Sequence, residues 1–274
     1  MSAPDFLRAK AEKTEAALYH YLDSWVDVPE SLQEAIAYSL FAGGKRLRPA
    51  LALGAAELVS GDDTAALPVA CALEMIHTYS LIHDDLPSMD NDDLRRGKPT
   101  CHKAFGESTA ILAGDGLLTM AFDMAAECGS TAIVQEIARA AGVAGMVGGQ
   151  QFDLDGEGKK LAMAELQRIH RAKTGALIRV ALRVGAMAAN ASSAEIDALT
   201  AYGEHLGLAF QITDDILDVV GTEAVLGKPV GSDVSLDKST YPALMGLDAS
   251  RQFAAEAVQS AIEALDVFDE GATA

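Results

Sequence analysis

The chain has 274 residues, 50% of them hydrophobic and 22% charged, enough for a packed core and too apolar for intrinsic disorder. Acidic residues outnumber basic ones 40 to 21, and the resulting charge of −19 repels nucleic acid and bare anionic membranes. Cys71, Cys101 and Cys128 form no CxxC pair, which excludes a disulfide frame or a zinc site and fits reduced thiols in the cytoplasm.

The first twenty residues carry charges throughout and lack the apolar centre of a secretory signal. No uncharged apolar run reaches the roughly 20 residues that a bilayer requires, so no membrane insertion is expected. Aromatics are only 5%, and Ala, Leu, Met and Glu are abundant, which favours helix over strand. Ser31 and Glu34 form a capping-box pair that predicts a helix over 31–40. Over 64–83 apolar residues recur at helical spacing and fill the intervening positions, as in a helix buried on most sides. Further helices are expected over about 109–127, 132–147, 162–189, 193–220 and 250–268. Joints fall at Gly43-Gly44, Pro49, Pro87, Gly148-Gly149, Gly227, Pro229 and Gly231. No period-2 strand pattern, repeat or linker interrupts this, so residues 1–274 read as one all-α domain, a bundle of about ten helices.

Five carboxylates crowd the ten residues Asp84-Asp85-Leu86-Pro87-Ser88-Met89-Asp90-Asn91-Asp92-Asp93, directly after the apolar helix. Taken alone, the run fits a solvated loop as well as a site for hard divalent cations. It is not an EF-hand, whose glycine and terminal glutamate are missing. A second acidic group, Asp214-Asp215-Ile216-Leu217-Asp218, interrupts an otherwise apolar helix. Asp214 and Asp218 are four apart and share a face, where like charges repel. Flanked by Phe210, Ile212, Ile216, Val219 and Val220, the pair points to a cation site between facing helices.

The scarce basic residues are grouped as well: Lys45, Arg46 and Arg48; Arg95, Arg96 and Lys98; Arg171 and Lys173; and Lys228. Arg makes forked contacts with phosphate and Lys point-charge contacts. For Arg46 and Lys98 an ordinary solvated role is equally open. Gly43-Gly44-Lys45 lacks the spacing of a phosphate-binding P-loop. Carboxylates that hold Mg²⁺, basic clusters and an apolar helical interior together imply a prenyl diphosphate pocket. Ionising an allylic diphosphate there requires exclusion of water and stabilisation of the leaving group.

In family order over about residues 36–247, these motifs resemble the trans-isoprenyl diphosphate synthases. The resemblance rests on Lys45-Arg46-Leu47-Arg48-Pro49, on Asp84-Asp85 with Asp90 and Arg95-Arg96, and on Gly148-Gly149-Gln150-Gln151. Lys173-Thr174-Gly175, Phe210-Gln211 with Asp214-Asp215 and Asp218, and Gly227-Lys228-Pro229 complete it. Four residues between Asp85 and Asp90, and Tyr79 five positions before Asp84, are similar to the bacterial farnesyl diphosphate type.

The resemblance implies an isoprenoid-synthase bundle around a central cavity, and a Mg²⁺-dependent head-to-tail condensation of isopentenyl diphosphate with dimethylallyl or geranyl diphosphate. Up to three Mg²⁺ ions would lie on Asp84, Asp90 and Asp214, with Asp85 and Asp218 in support. Arg95, Lys173 and Lys228 would hold the allylic diphosphate; Lys45, Arg48, His77 and Arg96 would hold isopentenyl diphosphate. Thr174 and Gln211 would line the reacting carbons, making Lys173, Thr174 and Gln211 the catalytic set. Tyr79 and Ser80 would set product length, and a homodimer is implied as well.

Independently of the family, Tyr79 stands roughly 7.5 Å below Asp84 along a helix, where a ring would floor the pocket. A place as plain core filler is the other reading of that ring. His77 is either a diphosphate contact or a buried core histidine; a di-iron site would need a second Glu-x-x-His pair, which the chain lacks. A terpene cyclase would carry a different second metal motif and no second substrate site, and a silent partner subunit would lack one acidic motif. Geranyl or geranylgeranyl diphosphate are the other expected products. The chain lacks the further helix and basic tail with which the family usually ends, so a missing C-terminal element is expected.

Overall fold

The computed structural model describes residues 2–220 and 239–268. Helix α1 (Ala3–Asp23) starts where the Ser2 hydroxyl accepts from the Asp5 amide, with Pro4 in the first turn. It is followed by α2 (Glu30–Leu40), α3 (Leu47–Ser60) and α4 (Leu67–Asp84), the last led in by a 3₁₀ turn, Thr64–Ala66. After a short hairpin come α5 (Cys101–Phe105), α6 (Glu107–Ala126), α7 (Thr131–Ala141), α8 (Met146–Gly156) and α9 (Met163–His170). A π turn, Arg171–Gly175, leads into α10 (Ala176–Ala188) and the long α11 (Ser193–Val220). Beyond residue 238, α12 (Tyr241–Met245) and α13 (Leu247–Glu263) complete the described fold. Gly227, Lys228, Pro229 and Gly231 lie outside the described residues.

Helix α4 is the centre of the bundle, with α6, α3, α2 and α10 packed around it. Eleven of its 18 residues are buried, among them Leu73, Met75 and Ile76 at 0% exposure, as its all-round apolar sequence predicts. Two helices, Thr64–Asp84 and Glu107–Ala126, are long and apolar enough to cross a membrane by length and composition, although each carries acidic residues. They instead pack on one another. The charge that interrupts α4, Glu74, is neutralised within the core. Arg46, adopting a left-handed backbone at φ 47°, sends its guanidinium inward to Glu74 at 2.7 Å, to Glu15 at 2.9 Å and to the Leu40 carbonyl at 2.7 Å. Arg46 is therefore not a solvated residue.

Five other expectations are corrected. Helix α2 begins at Glu30 after Pro29, with no side-chain cap, so Ser31 lies inside the helix. The span 132–147 divides at Gly142–Gly145, and Gly148 and Gly149 are helical rather than a joint. The span 162–189 is broken by the π turn. An antiparallel hairpin, Leu94–Arg95 with Lys98–Pro99, occupies a region read as free of strand. Its turn residues Arg96 and Gly97 both have positive φ, 54° and 75°, the geometry that matches the twist of a two-residue hairpin.

Candidate active site

The two acidic groups stand at the ends of α4 and α11. Past Asp84 the chain turns back: the Asp90 amide donates to the Asp84 carbonyl at 2.8 Å, which folds the acidic loop over the end of α4. The five carboxylates of that loop then divide. Asp85, 3% exposed, takes a forked contact from Arg95, whose Nε lies 2.8 and 2.9 Å from its two oxygens. Asp92 lies 3.5 Å from the same guanidinium, and Asp93 pairs with Lys103 at 2.8 Å. Asp84 and Asp90 have no such ion pair among the described residues. Burial pushes the Asp84 carboxyl up to about 6; Lys173 and Arg95 oppose that shift, while Asp90 and Asp85 add to it. A carboxylate so placed gains from a cation beside it.

Lys173 and Thr174 occupy the π turn between α9 and α10. Such turns insert one residue into a helix and widen it locally, which re-aims the side chains they carry. The turn is held by α8, whose backbone approaches so closely that a Cβ on Gly149 would lie 2.2 Å from the Lys173 amide nitrogen. Hence Gly149 is helical despite its low propensity: no larger residue fits there. On the same helix, Asp153 receives the Lys173 ammonium at 2.6 Å. Burial lowers the Lys173 affinity for its proton, but Asp153, with Asp84 and Asp90 behind it, raises it above the ordinary range. Sequence reasoning missed Asp153. It lies three residues beyond Gln150, on the same face of α8, and that spacing was available to find it.

Two cavities meet at this lysine. The first, about 410 Å³, is lined by Arg48, His77, Tyr79, Ser80, Asp84, Lys173 and Thr174, together with apolar Met89, Met146, Val147 and Leu154. The second, about 280 Å³, is lined by Asp153, Lys173, Thr174, Gln211, Asp214 and Asp215. Tyr79 is 6% exposed and buried at the α4 wall. His77 is held well below its ordinary pKa by burial and by Arg48, Arg96, Arg95 and Arg46 around it, so it is neutral. Burial also lowers the Arg48 pKa, and its Nε is a buried donor with no partner. Gln150 Oε1 is likewise unpartnered and buried. A buried, unmatched guanidinium is a costly group that an anion would satisfy.

The remaining expected residues spread wider. Arg95 and Arg96 line a small cleft with Asp85, Tyr38 and Thr78, and the Arg96 guanidinium lies against Gly44. Lys45 is exposed on the loop before α3, and Lys228 lies outside the described residues. On α11 the shared face expected for Asp214 and Asp218 is uneven. Asp214 is exposed, whereas Asp215 and Asp218 are buried at 6% and 2%. Asp215 accepts from the Tyr241 amide at 2.9 Å and so tethers the start of α12, a role the sequence did not suggest. Ile212 and Ile216 are buried as expected, but Phe210, Val219 and Val220 are exposed. Among the described residues no three carboxylate, histidine or cysteine side chains gather closely enough to hold an ion by themselves.

Known proteins share the family and the fold of this chain. The farnesyl diphosphate synthase of Geobacillus stearothermophilus is 50% identical over 278 residues, covering 97% of this chain and 93% of that one. A chloroplastic heterodimeric geranylgeranyl pyrophosphate synthase large subunit of Arabidopsis thaliana is 47% identical, covering 96% and 74%. The crystal structure of a geranyltransferase from Legionella pneumophila superposes with a TM-score of 0.85 at 37% identity, covering 97% and 91%. The polyprenyl synthetase family model matches residues 29–270. That match spans most of the chain, and at 50% identity to a farnesyl diphosphate synthase over 97% of its length the chain belongs to the polyprenyl synthetase family.

Proposed function

We infer that this prenyltransferase condenses isopentenyl diphosphate with dimethylallyl or geranyl diphosphate, releasing diphosphate and farnesyl diphosphate. One observation carries the reading: Lys173 and Thr174 stand where two cavities meet, one bearing Asp84, Arg48, His77 and Tyr79, the other Gln211 and Asp214. In this reading an allylic diphosphate lies between Asp84, Asp90 and Asp214, and the isopentenyl chain lies beside Thr174.

The residues fit magnesium. Asp84, Asp90 and Asp214 offer the hard oxygen donors it prefers, and burial, with Asp90 and Asp85 nearby, raises the Asp84 pKa despite Lys173 and Arg95, so that an added cation would favour its charged form. When bound, Mg²⁺ neutralises the diphosphate and makes it a better leaving group. Lys173, kept charged by Asp153, and Arg95, oriented by Asp85, contact the allylic diphosphate as its C–O bond breaks and the electron pair goes to oxygen. Lys228 joins them in this assignment. The Thr174 hydroxyl and the Gln211 amide oxygen direct their dipoles at the allylic cation. Arg48, Arg96 and Lys45 hold isopentenyl diphosphate, with neutral His77 as a hydrogen-bonding partner. Its alkene attacks C1, and the proton then lost passes to the released diphosphate. Met89, Met146, Val147 and Leu154 keep water from the cation.

Tyr79 and Ser80 set the length of the product, with the Tyr79 ring as the floor. The protein works in the cytoplasm, in keeping with its free thiols, and as a homodimer, in keeping with the exposed Ile111 and Leu112 on apolar α6. Incubation of the purified protein with Mg²⁺, isopentenyl diphosphate and either allylic diphosphate tests the reading. A C15 product is expected from both allylic partners, and absence of any prenyl product would sink it.

A further inference from the structure

His83 has no part in the chemistry assigned above, yet it lines the same cavity as Tyr79 and immediately precedes Asp84. Four residues apart, the two rings share one face of α4. Their centroids are 5.7 Å apart and their planes cross at 82°, an edge-to-face pair. From the other side the imidazole is held by α6. Its Nε2 lies 3.1 Å from the Ile111 carbonyl oxygen. A Cβ on Gly114 would stand 2.1 Å from that same nitrogen, so α6 is recessed just where the ring sits. His83 is thus wedged between α6 and the tyrosine.

A tyrosine on a helix has two accessible χ1 wells. The neighbour that fills the space behind the ring decides between them. We propose that His83 is a positioning residue for product length: seated against Gly114 and the Ile111 carbonyl, it fixes the Tyr79 ring in its place on the cavity wall. The limit on chain growth is then a property of the Tyr79–His83–Gly114 stack rather than of one side chain. This rests on the reading of Tyr79 as the floor.

Product chromatography with isopentenyl diphosphate, Mg²⁺ and either geranyl or farnesyl diphosphate tests it on His83→Ala, Tyr79→Ala and the double variant. Loss of an edge-to-face pair should raise the C20 to C15 ratio about threefold to tenfold in His83→Ala. On the Tyr79→Ala background, His83→Ala should lengthen the product no further, which a general loosening of the fold would not reproduce. An unchanged ratio in His83→Ala, or an effect that adds to that of Tyr79→Ala, overturns the proposal and leaves Tyr79 as the floor. An unchanged ratio in Tyr79→Ala removes the floor, and the proposal with it. Should His83→Ala fail to fold, Gly114→Ala poses the question from α6. Its methyl group evicts the imidazole and should alter the C20 to C15 ratio; an unaltered ratio counts against the stack.

Discussion

The Lys173 ammonium lies 2.6 Å from a carboxylate oxygen of Asp153, across the gap between the π turn and α8. Twenty residues apart in sequence, the two form the contact that keeps the lysine charged and aimed between the cavities. Asp153→Asn keeps the shape and removes the charge. It should lower kcat/KM for the allylic diphosphate by about 10- to 100-fold, because a small misplacement of a positioning group carries that penalty. Steady-state kinetics, with circular dichroism to confirm folding, would check this; wild-type kinetics would show that Lys173 needs no partner.

Gly149 sets how closely α8 approaches that turn. Gly149→Ala adds a methyl group 2.2 Å from the Lys173 amide, against backbone that cannot swing aside. Overpacking of this kind costs about 1–3 kcal/mol and should also displace Lys173. Urea unfolding should show the loss of stability, and turnover should fall further than in a helix-propensity control such as Gly116→Ala.

Glu74 and Arg46 form a buried pair, with exposures of 2% each. Removing one partner strands the other charge in the core, at a cost of about 3–5 kcal/mol. Glu74→Ala should unfold at much lower urea concentration than wild type, and a shift below about 1 kcal/mol would show that Glu15 and the Leu40 carbonyl suffice for Arg46.

Burial lowers the His170 pKa to about 4, with Lys173 lowering it further and Asp153 opposing. Because the unfolded chain takes up a proton near 6.5 and the folded chain refuses it until about 4, the stabilising effect is full above pH 6.5. It is lost as pH falls from there towards 4, at about 1.4 kcal/mol per pH unit. His170→Gln should flatten this part of the stability curve. Unfolding free energies at pH 7 and pH 5 should differ by about 2 kcal/mol less in the variant than in wild type.

In the proposed function the Tyr79 ring floors the cavity, which Tyr79→Ala and Tyr79→Ser would open. Both should shift the product from C15 towards C20 and beyond, read by chromatography. Retention of C15 in both would return Tyr79 to the role of core filler.

The sequence made α4 legible because apolar residues fill nearly every turn of it, from which its burial follows, and α11 legible through helical spacing sustained over many turns. It placed His77 and Tyr79 on one helix with Asp84 directly after it, and these share a cavity with Arg48, although no helix was expected at α3. What it could not show depended on contacts between distant segments. The π turn has no local marker; it exists where Gly149 meets Lys173. Gly148 and Gly149 look like a joint, since glycine usually breaks helices, but here the missing Cβ serves packing. The fate of each acid in the 84–93 run was also hidden, because Arg95, Lys103 and Lys173 arrive from three different elements. Arg46 stayed open between anion contact and a solvated role because its partner Glu74 lies 28 positions away.

The π turn has a consequence for how this chain can change. It carries one residue more than an α-turn would need, and each residue of helix advances the spiral by about 100°. Deleting Ala172 alone would leave a continuous helix from 163 to 188 of ordinary pitch, with no chemical group of the site removed. Lys173 and Thr174 would nevertheless swing away from one of the flanking segments by over a quarter of a revolution. Insertions and deletions, usually tolerated in loops and ruinous in cores, therefore have in this one turn a position where a single codon sets the phase of the face that carries Lys173 and Thr174.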